Sequence, residues 1–279
     1  MNAFLQLLLF TNTVFSGTAD TAYASYGDEI NAWHAKRISN LKKDYGWLTL
    51  VALTWLNEGE NRIANVGMIS LAGEKVHFKP ELPVAATVRG RTFSEGELKH
   101  GNTRDTVRMD SRAFIIIERD HRYAVRMWDT TSELRKQFTG IDRYPVSQKW
   151  RLEARWEPYN PPNTIKVPTV IEGYSEEYAV PGVAIFTVAG KEYRLEPVLE
   201  EPDGDYFFIF ADKTNGKETY DAGRFLYAKS VRNGKVILDF NKAYNPPCAF
   251  TEYATCPLPP KGNKLVIAVD AGEKKYSGH

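Results

Sequence analysis

Along this chain apolar and polar residues follow two periods. From 28 to 43 the apolar side chains Ile30, Trp33, Ile38 and Leu41 recur at helical spacing. Asp28 and Glu29 in the first turn and Lys42-Lys43 in the last suit the helix dipole, so the pattern predicts one amphipathic helix. The next stretch, 46–56, is apolar at 48, 51, 52, 55 and 56 and fits a helix almost as well as a buried strand. Gly46 and Asn57-Glu-Gly-Glu60 bound it, which favours the strand. From there to residue 240, short runs rich in β-branched and aromatic residues alternate with turn residues. The expected strands are 68–71, 76–78, 85–88, 106–109, 113–118, 123–127, 150–156, 164–170, 183–188, 193–199, 206–211, 225–228, 236–240 and 265–269. Asn215-Gly216 and Asn233-Gly234 read as hairpin turns because both residue types tolerate positive φ, and Ala189-Gly190-Lys191 is a weaker signal of the same kind. Strands at this spacing predict a mainly β fold, sandwich- or barrel-like, rather than a parallel sheet with crossover helices. A soft boundary at 139–144 divides the expectation into 25–144, a helix plus a sandwich-like subdomain, and 145–279, a second β-subdomain.

The C-terminal stretch breaks both periods. Residues 246–260 hold five of the chain's 15 prolines and its 2 cysteines, Cys248 and Cys256. Proline fixes φ and removes a donor, so this segment is expected to be a rigid irregular strap. Its backbone polar groups need partners such as Asn241, Asn245 and Thr251. The cysteines admit three readings: a disulfide contributing about 2–3 kcal/mol, two buried thiols, or a metal or catalytic pair. The third is the poorest, because the spacing is not that of a zinc knuckle and none of the 5 histidines lies near the strap in sequence.

Composition narrows the partners. A net charge of +1 supplies no long-range field, which argues against nucleic acid and acidic membrane surfaces. No apolar run approaches the roughly 18 residues of a membrane-spanning helix. Residues 4–10 are nevertheless apolar, and Ala22-Tyr-Ala24 has the small-x-small form of a cleavage site. Residues 1–24 are therefore expected to be a signal peptide and the protein to be exported, periplasmic or extracellular. Gln6 within the apolar run, and the lack of Lys or Arg before it, keep a cytoplasmic alternative open.

No serine elbow, phosphate-cradling loop or dinucleotide fingerprint occurs, so no cofactor is expected. The oxygen-bearing residues around Asp212 do not fall at calcium-loop spacing and read instead as turn chemistry. The candidate chemistry rests on Arg126 and Arg224, each in an apolar strand context where a guanidinium needs an anion. For Arg126 that anion is either a protein carboxylate, with Asp129 nearby in sequence, or a ligand. Asp239, Asn241, Asn245 and Glu273 supply further polar groups around the strap. Together these six residues are expected to form a small-ligand site, binding or hydrolytic. In the alternative, a non-catalytic envelope or interaction module, the same residues only tie strap to sheet.

Several motifs carry a family likeness. Gly46-Trp-Leu with Trp55-Leu, Arg126-x-x-Asp129, Phe138-x-Gly140 and the series from Phe210 to Leu226 are followed by Asp239-Phe-Asn-x-Ala-Tyr-Asn-Pro-Pro-Cys and Thr255-Cys-Pro-Leu-Pro-Pro. In these the chain resembles the bacterial and archaeal domain of unknown function 1684 family, which implies kinship and no activity. Gly59-Glu-Asn-Arg-Ile63 with Ile69-Ser-Leu71 is similar to the opening strands of forkhead-associated sandwiches. Ala64-Asn65 stands where those domains place their phosphate-binding arginine, so the likeness implies a sandwich and not phosphopeptide binding.

Overall fold

The computed structural model describes residues 25–81 and 85–278; the expected signal peptide lies outside them. Helix α1 (Tyr26–Leu41) begins two residues before the apolar pattern because Ser25 caps it. The Ser25 hydroxyl accepts the Asp28 N–H at 3.2 Å, and the Asp28 carboxylate accepts the Ser25 N–H at 3.2 Å. Only Ile30 and Leu41 of α1 are fully buried, so polar ties also hold the helix. The ambiguous stretch divides: Trp47–Thr49 is a single 3-10 turn, and β1 (Leu50–Trp55) follows. The Thr49 hydroxyl, donating toward the carbonyls of Asp44 and Gly46, holds that turn closed.

Two antiparallel sheets form the N-terminal half. Their further strands are β2 (Gly59–Ile63), β3 (Gly67–Ala72), β4 (Lys75–Pro80), β5 (Ala86–Val88), β6 (Arg91–Phe93), β7 (Gly96–Leu98), β8 (Val107–Met109), β9 (Arg112–Arg119) and β10 (Arg122–Asp129). One sheet has the order β1-β10-β9-β8-β5-β6 and the other β2-β3-β4-β7. Between them lies a core that includes Ile69, Val76, Phe78, Phe114, Ile116 and Val125, with Phe78 and Phe114 edge to face at 5.2 Å. Strand alternation sends Tyr123, Val125 and Met127 of β10 into that core. Ala124 joins Ile115 and Ile117 in a smaller apolar cluster on the outer face, and Arg126 shares its parity.

After the short helix α2 (Glu133–Gln137), the chain builds β11 (Arg151–Pro168), β12 (Ser175–Val188), β13 (Lys191–Leu195), β14 (Tyr206–Phe210), β15 (Arg224–Ala228) and β16 (Lys235–Asp239). The sheet β13-β12-β11-β16 and the ribbon β14-β15 curve around Trp150, Phe186, Phe208, Phe210 and Phe240 as a half-barrel. The mainly β expectation is therefore met, with one N-terminal helix and several antiparallel sheets.

Local departures have local causes. Strand β11 fuses two expected runs across Pro158, Pro161 and Pro162, because the register shift between Pro158 and Asn163 falls where those residues cannot donate. Residues 265–269 form no strand: Leu265 N–H pairs with the Ala211 carbonyl at 2.8 Å and the chain then leaves the sheet. Asn233-Gly234 makes its tight turn, with φ of 53° and 71°. Asn215-Gly216 makes no hairpin turn. The Asn215 side chain accepts the Asp212 N–H at 2.6 Å and donates to the Tyr220 carbonyl at 2.8 Å, organising a longer loop between β14 and β15.

Candidate ligand site

The six residues expected to form one site are divided by the structure. Arg224 is completely buried and paired. Its Nη2 donates to Asp212 Oδ2 at 2.7 Å and to the Val269 carbonyl at 2.8 Å, while Nη1 donates to the Ala271 carbonyl. Gly223 precedes it at φ +101°, where a Cβ would lie 2.5 Å from the Phe210 carbonyl oxygen. The anion that Arg224 requires is thus supplied by the protein, from the loop read as turn chemistry. Asp239 accepts the Tyr26 hydroxyl at 2.7 Å and the Asn241 N–H at 3.2 Å. Asn241 exchanges two 2.9 Å hydrogen bonds with the Ser147 backbone. Asn245 donates its N–H to Glu273 Oε2 at 2.7 Å and its side-chain amide to the Lys274 carbonyl at 2.8 Å. Glu273 is fully buried with Arg37 Nε at 3.2 Å; burial pushes its carboxyl up, and the Arg37 charge pulls against that. These five side chains tie α1, the strap and the half-barrel together.

Arg126 is different, and it lines a cavity of about 540 Å³. It stands on the outer face of its sheet, in register with Leu53 on one side and Ile115 on the other. Nη2 donates to Thr255 Oγ1 at 3.2 Å; the buried Nε has no partner, which is true of Arg224 Nε as well. No carboxylate lies within ion-pair distance among the described residues, and Asp129 instead faces Arg112 at 3.5 Å. Burial pulls the Arg126 pKa down to about 10, with Arg119 and Arg104 pushing the same way, so the group still carries its charge at neutral pH.

The remaining walls come from every layer. Helix α1 contributes Trp33, Lys36, Arg37 and Asn40, which share one face by their spacing. Trp47, Phe207, Phe225, Tyr227 and Tyr244 supply aromatic surface, and the strap closes one side with Pro247, Thr255, Cys256 and Pro257. Cys248 and Cys256 are joined as a disulfide, with Cα atoms 6.2 Å apart. Of the other charged groups around the cavity, Arg37, Arg119 and Glu176 have charged partners, whereas Lys36 and Glu200 have no ion-pair partner among the described residues. Arg37 has Glu273, the Asn245 carbonyl at 2.8 Å and the Tyr244 ring at 4.5 Å. Arg119 Nε sits 3.3 Å from Glu176 Oε1, although without hydrogen-bond geometry. Glu176 also accepts the Tyr178 hydroxyl, and Glu200 accepts that of Tyr227. Burial pushes Tyr178, Tyr227 and Tyr244 up, so all three hydroxyls keep their protons at neutral pH. Among the described residues no cluster of three His, Cys, Asp or Glu is placed to hold a metal.

Residues 136–274 match the family described as Protein of unknown function (DUF1684). This part of the chain belongs to that family. The DUF1684 match takes in the Arg224 node, the strap and the half-barrel side of the cavity, whereas α1, Trp47 and Arg126 precede it. The solution NMR structure of an uncharacterized protein of Haloarcula marismortui is 29% identical over 53% of this chain and 82% of its own, with a TM-score of 0.44. No curated protein matches.

Several cavity residues were within motifs already visible. Trp47 belongs to Gly46-Trp-Leu, and Tyr244 and Thr255 belong to the strap motifs. Trp33 and Arg37, four apart on a helix, were readable as one face. Arg119, Glu176 and Glu200 lie in ordinary polar contexts that carry no such signal.

Proposed function

We propose that this protein binds a small organic anion with an apolar or aromatic body, held in the cavity between α1, the two β halves and the strap. The observation that carries this reading is Arg126: a largely buried guanidinium that faces the cavity, bonded to one threonine hydroxyl and with no carboxylate within ion-pair distance. Burying a charge without a partner is costly, and an anionic ligand accepting from Arg126 and Thr255 would remove that cost. The volume falls within the usual range for small-molecule sites, and the aromatic walls suit an apolar body. A thermal-shift series with aliphatic and aromatic carboxylates, sulfonates and phosphates tests the reading. At least one class is expected to raise the melting temperature of the wild type and not of Arg126→Met. Equal stabilisation of both proteins would remove Arg126 from the site.

We also propose that the protein is exported. A disulfide across the strap suits an oxidising compartment, and the apolar segment 4–10 before Ala22-Tyr-Ala24 suits a cleaved signal. Mass spectrometry of the mature protein from its host is expected to find an N-terminus beyond Ala24; an intact Met1 on a cytosolic protein would refute export.

A further inference from the structure

We infer that the ligand is a zwitterion, an amino acid or short peptide with a bulky apolar side chain, its carboxylate at Arg126 and its ammonium at Glu200. This rests on the anion reading above and adds a second pole to it. Glu200 lines the same cavity, and one of its oxygens, Oε2, accepts the Tyr227 hydroxyl. No Lys, Arg or His among the described residues lies within ion-pair distance of it. Its neighbour Glu176 is already engaged by Tyr178, by Tyr174 at 3.4 Å and by Arg119 at 3.3 Å. Glu200, which is solvent-exposed, is therefore the cavity carboxylate with no protein cation beside it and with one oxygen free of protein hydrogen bonds.

Its surroundings suit an ammonium group. The rings of Tyr227 and Tyr244 stack at 6.3 Å beside it, between Phe207 at 4.7 Å from Tyr227 and the Arg37 guanidinium at 4.5 Å from Tyr244, so the aromatic stack next to the carboxylate already holds one cation. The Tyr227 hydroxyl keeps its proton, so it orients the carboxylate without competing for charge. At the other pole, Arg126 and Thr255 donate to an anion. A ligand with one charge of each sign answers both, and Phe207 and Phe225 supply apolar wall in the same cavity.

Titration calorimetry at pH 7 with L-alanyl-L-phenylalanine, its N-acetyl derivative and its C-terminal amide tests this. The free dipeptide is expected to bind. Acetylation should weaken it about fivefold, the upper worth of an exposed ion pair. Amidation should abolish binding. Glu200→Gln should lower affinity for the free dipeptide to that of the acetylated one and leave the acetylated one unchanged. Equal, Arg126-dependent affinity for free and acetylated dipeptide would overturn the zwitterion and leave the anion reading standing. So would Arg126-dependent binding of 3-phenylpropanoate with no binding of the dipeptide. Tight binding of the amide, or binding of none of these probes, would overturn the zwitterion and count against the anion reading as well.

Discussion

In the C-terminal half, Arg224 is enclosed by the Asp212 carboxylate and the carbonyls of Val269 and Ala271; in the N-terminal half, Arg126 has one threonine hydroxyl and a cavity. Both lie in strands with apolar cross-strand neighbours, Ile115 and Leu53 for Arg126, Phe210 for Arg224. An arginine whose charge and carbonyl partners are internal serves the fold. The Nε is unmet in both, so what sets Arg126 apart is that it faces a cavity and has no carboxylate partner, which is why it is the one proposed to meet a ligand. The two halves thus place the same residue type in opposite settings, one paired and one facing a cavity, and a strand context alone does not say which.

The largest effect should come from breaking the closed node. Arg224→Met leaves Asp212 buried without its partner and is expected to cost about 3–5 kcal/mol in denaturant unfolding. A loss below about 1 kcal/mol would mean that the node contributes little. Next, Cys248→Ala with Cys256→Ala should cost about 2–3 kcal/mol, the value for a short closed loop, and reducing agent should lower the wild-type melting temperature to match. Because Thr255 adjoins Cys256, the same variant should weaken any Arg126-dependent ligand. Identical melting with and without reductant would show that the bridge does not restrain the strap.

Smaller still, Tyr26→Phe removes the hydroxyl shared by Asp239 and Asn241 and is expected to cost about 1 kcal/mol, read by thermal unfolding. The smallest change in stability is expected from the residue proposed to matter most for binding. Arg126→Met keeps most of the packing and removes a buried, unpaired charge, so it should lie within about 1 kcal/mol of the wild type, on the stabilising side. A loss of several kcal/mol there would move Arg126 into the class of Arg224 and end the comparison.

Much of the architecture was legible because it rests on local pattern. Alternation located β9, β10 and β14 to β16 closely, and the helical period located α1 to within its cap, since core-facing periodicity is a property of neighbouring residues. The misreadings fall where distant groups decide. The expected runs 150–156 and 164–170 are one strand, β11, which carries the prolines between them in a register shift against β12. Asn215-Gly216 was read as a hairpin turn, but the Asn215 side chain found Tyr220 and Asp212 instead.

The site divides along the same line. By itself the sequence determined that Arg126 and Arg224 needed anions, that Cys248 and Cys256 stood in a proline-constrained strap, and that Asn245 and Glu273 had to be accounted for. Those are demands, set by residue type and hydrophobic context. How each demand is met was decided only by the tertiary structure. Asp212 meets Arg224 from the preceding loop, Arg37 meets Glu273 across 236 positions, and Thr255 reaches Arg126 across 129. Charge pairing depends on distances of a few ångströms between groups far apart in sequence, and packing of sheets, helix and strap sets those distances.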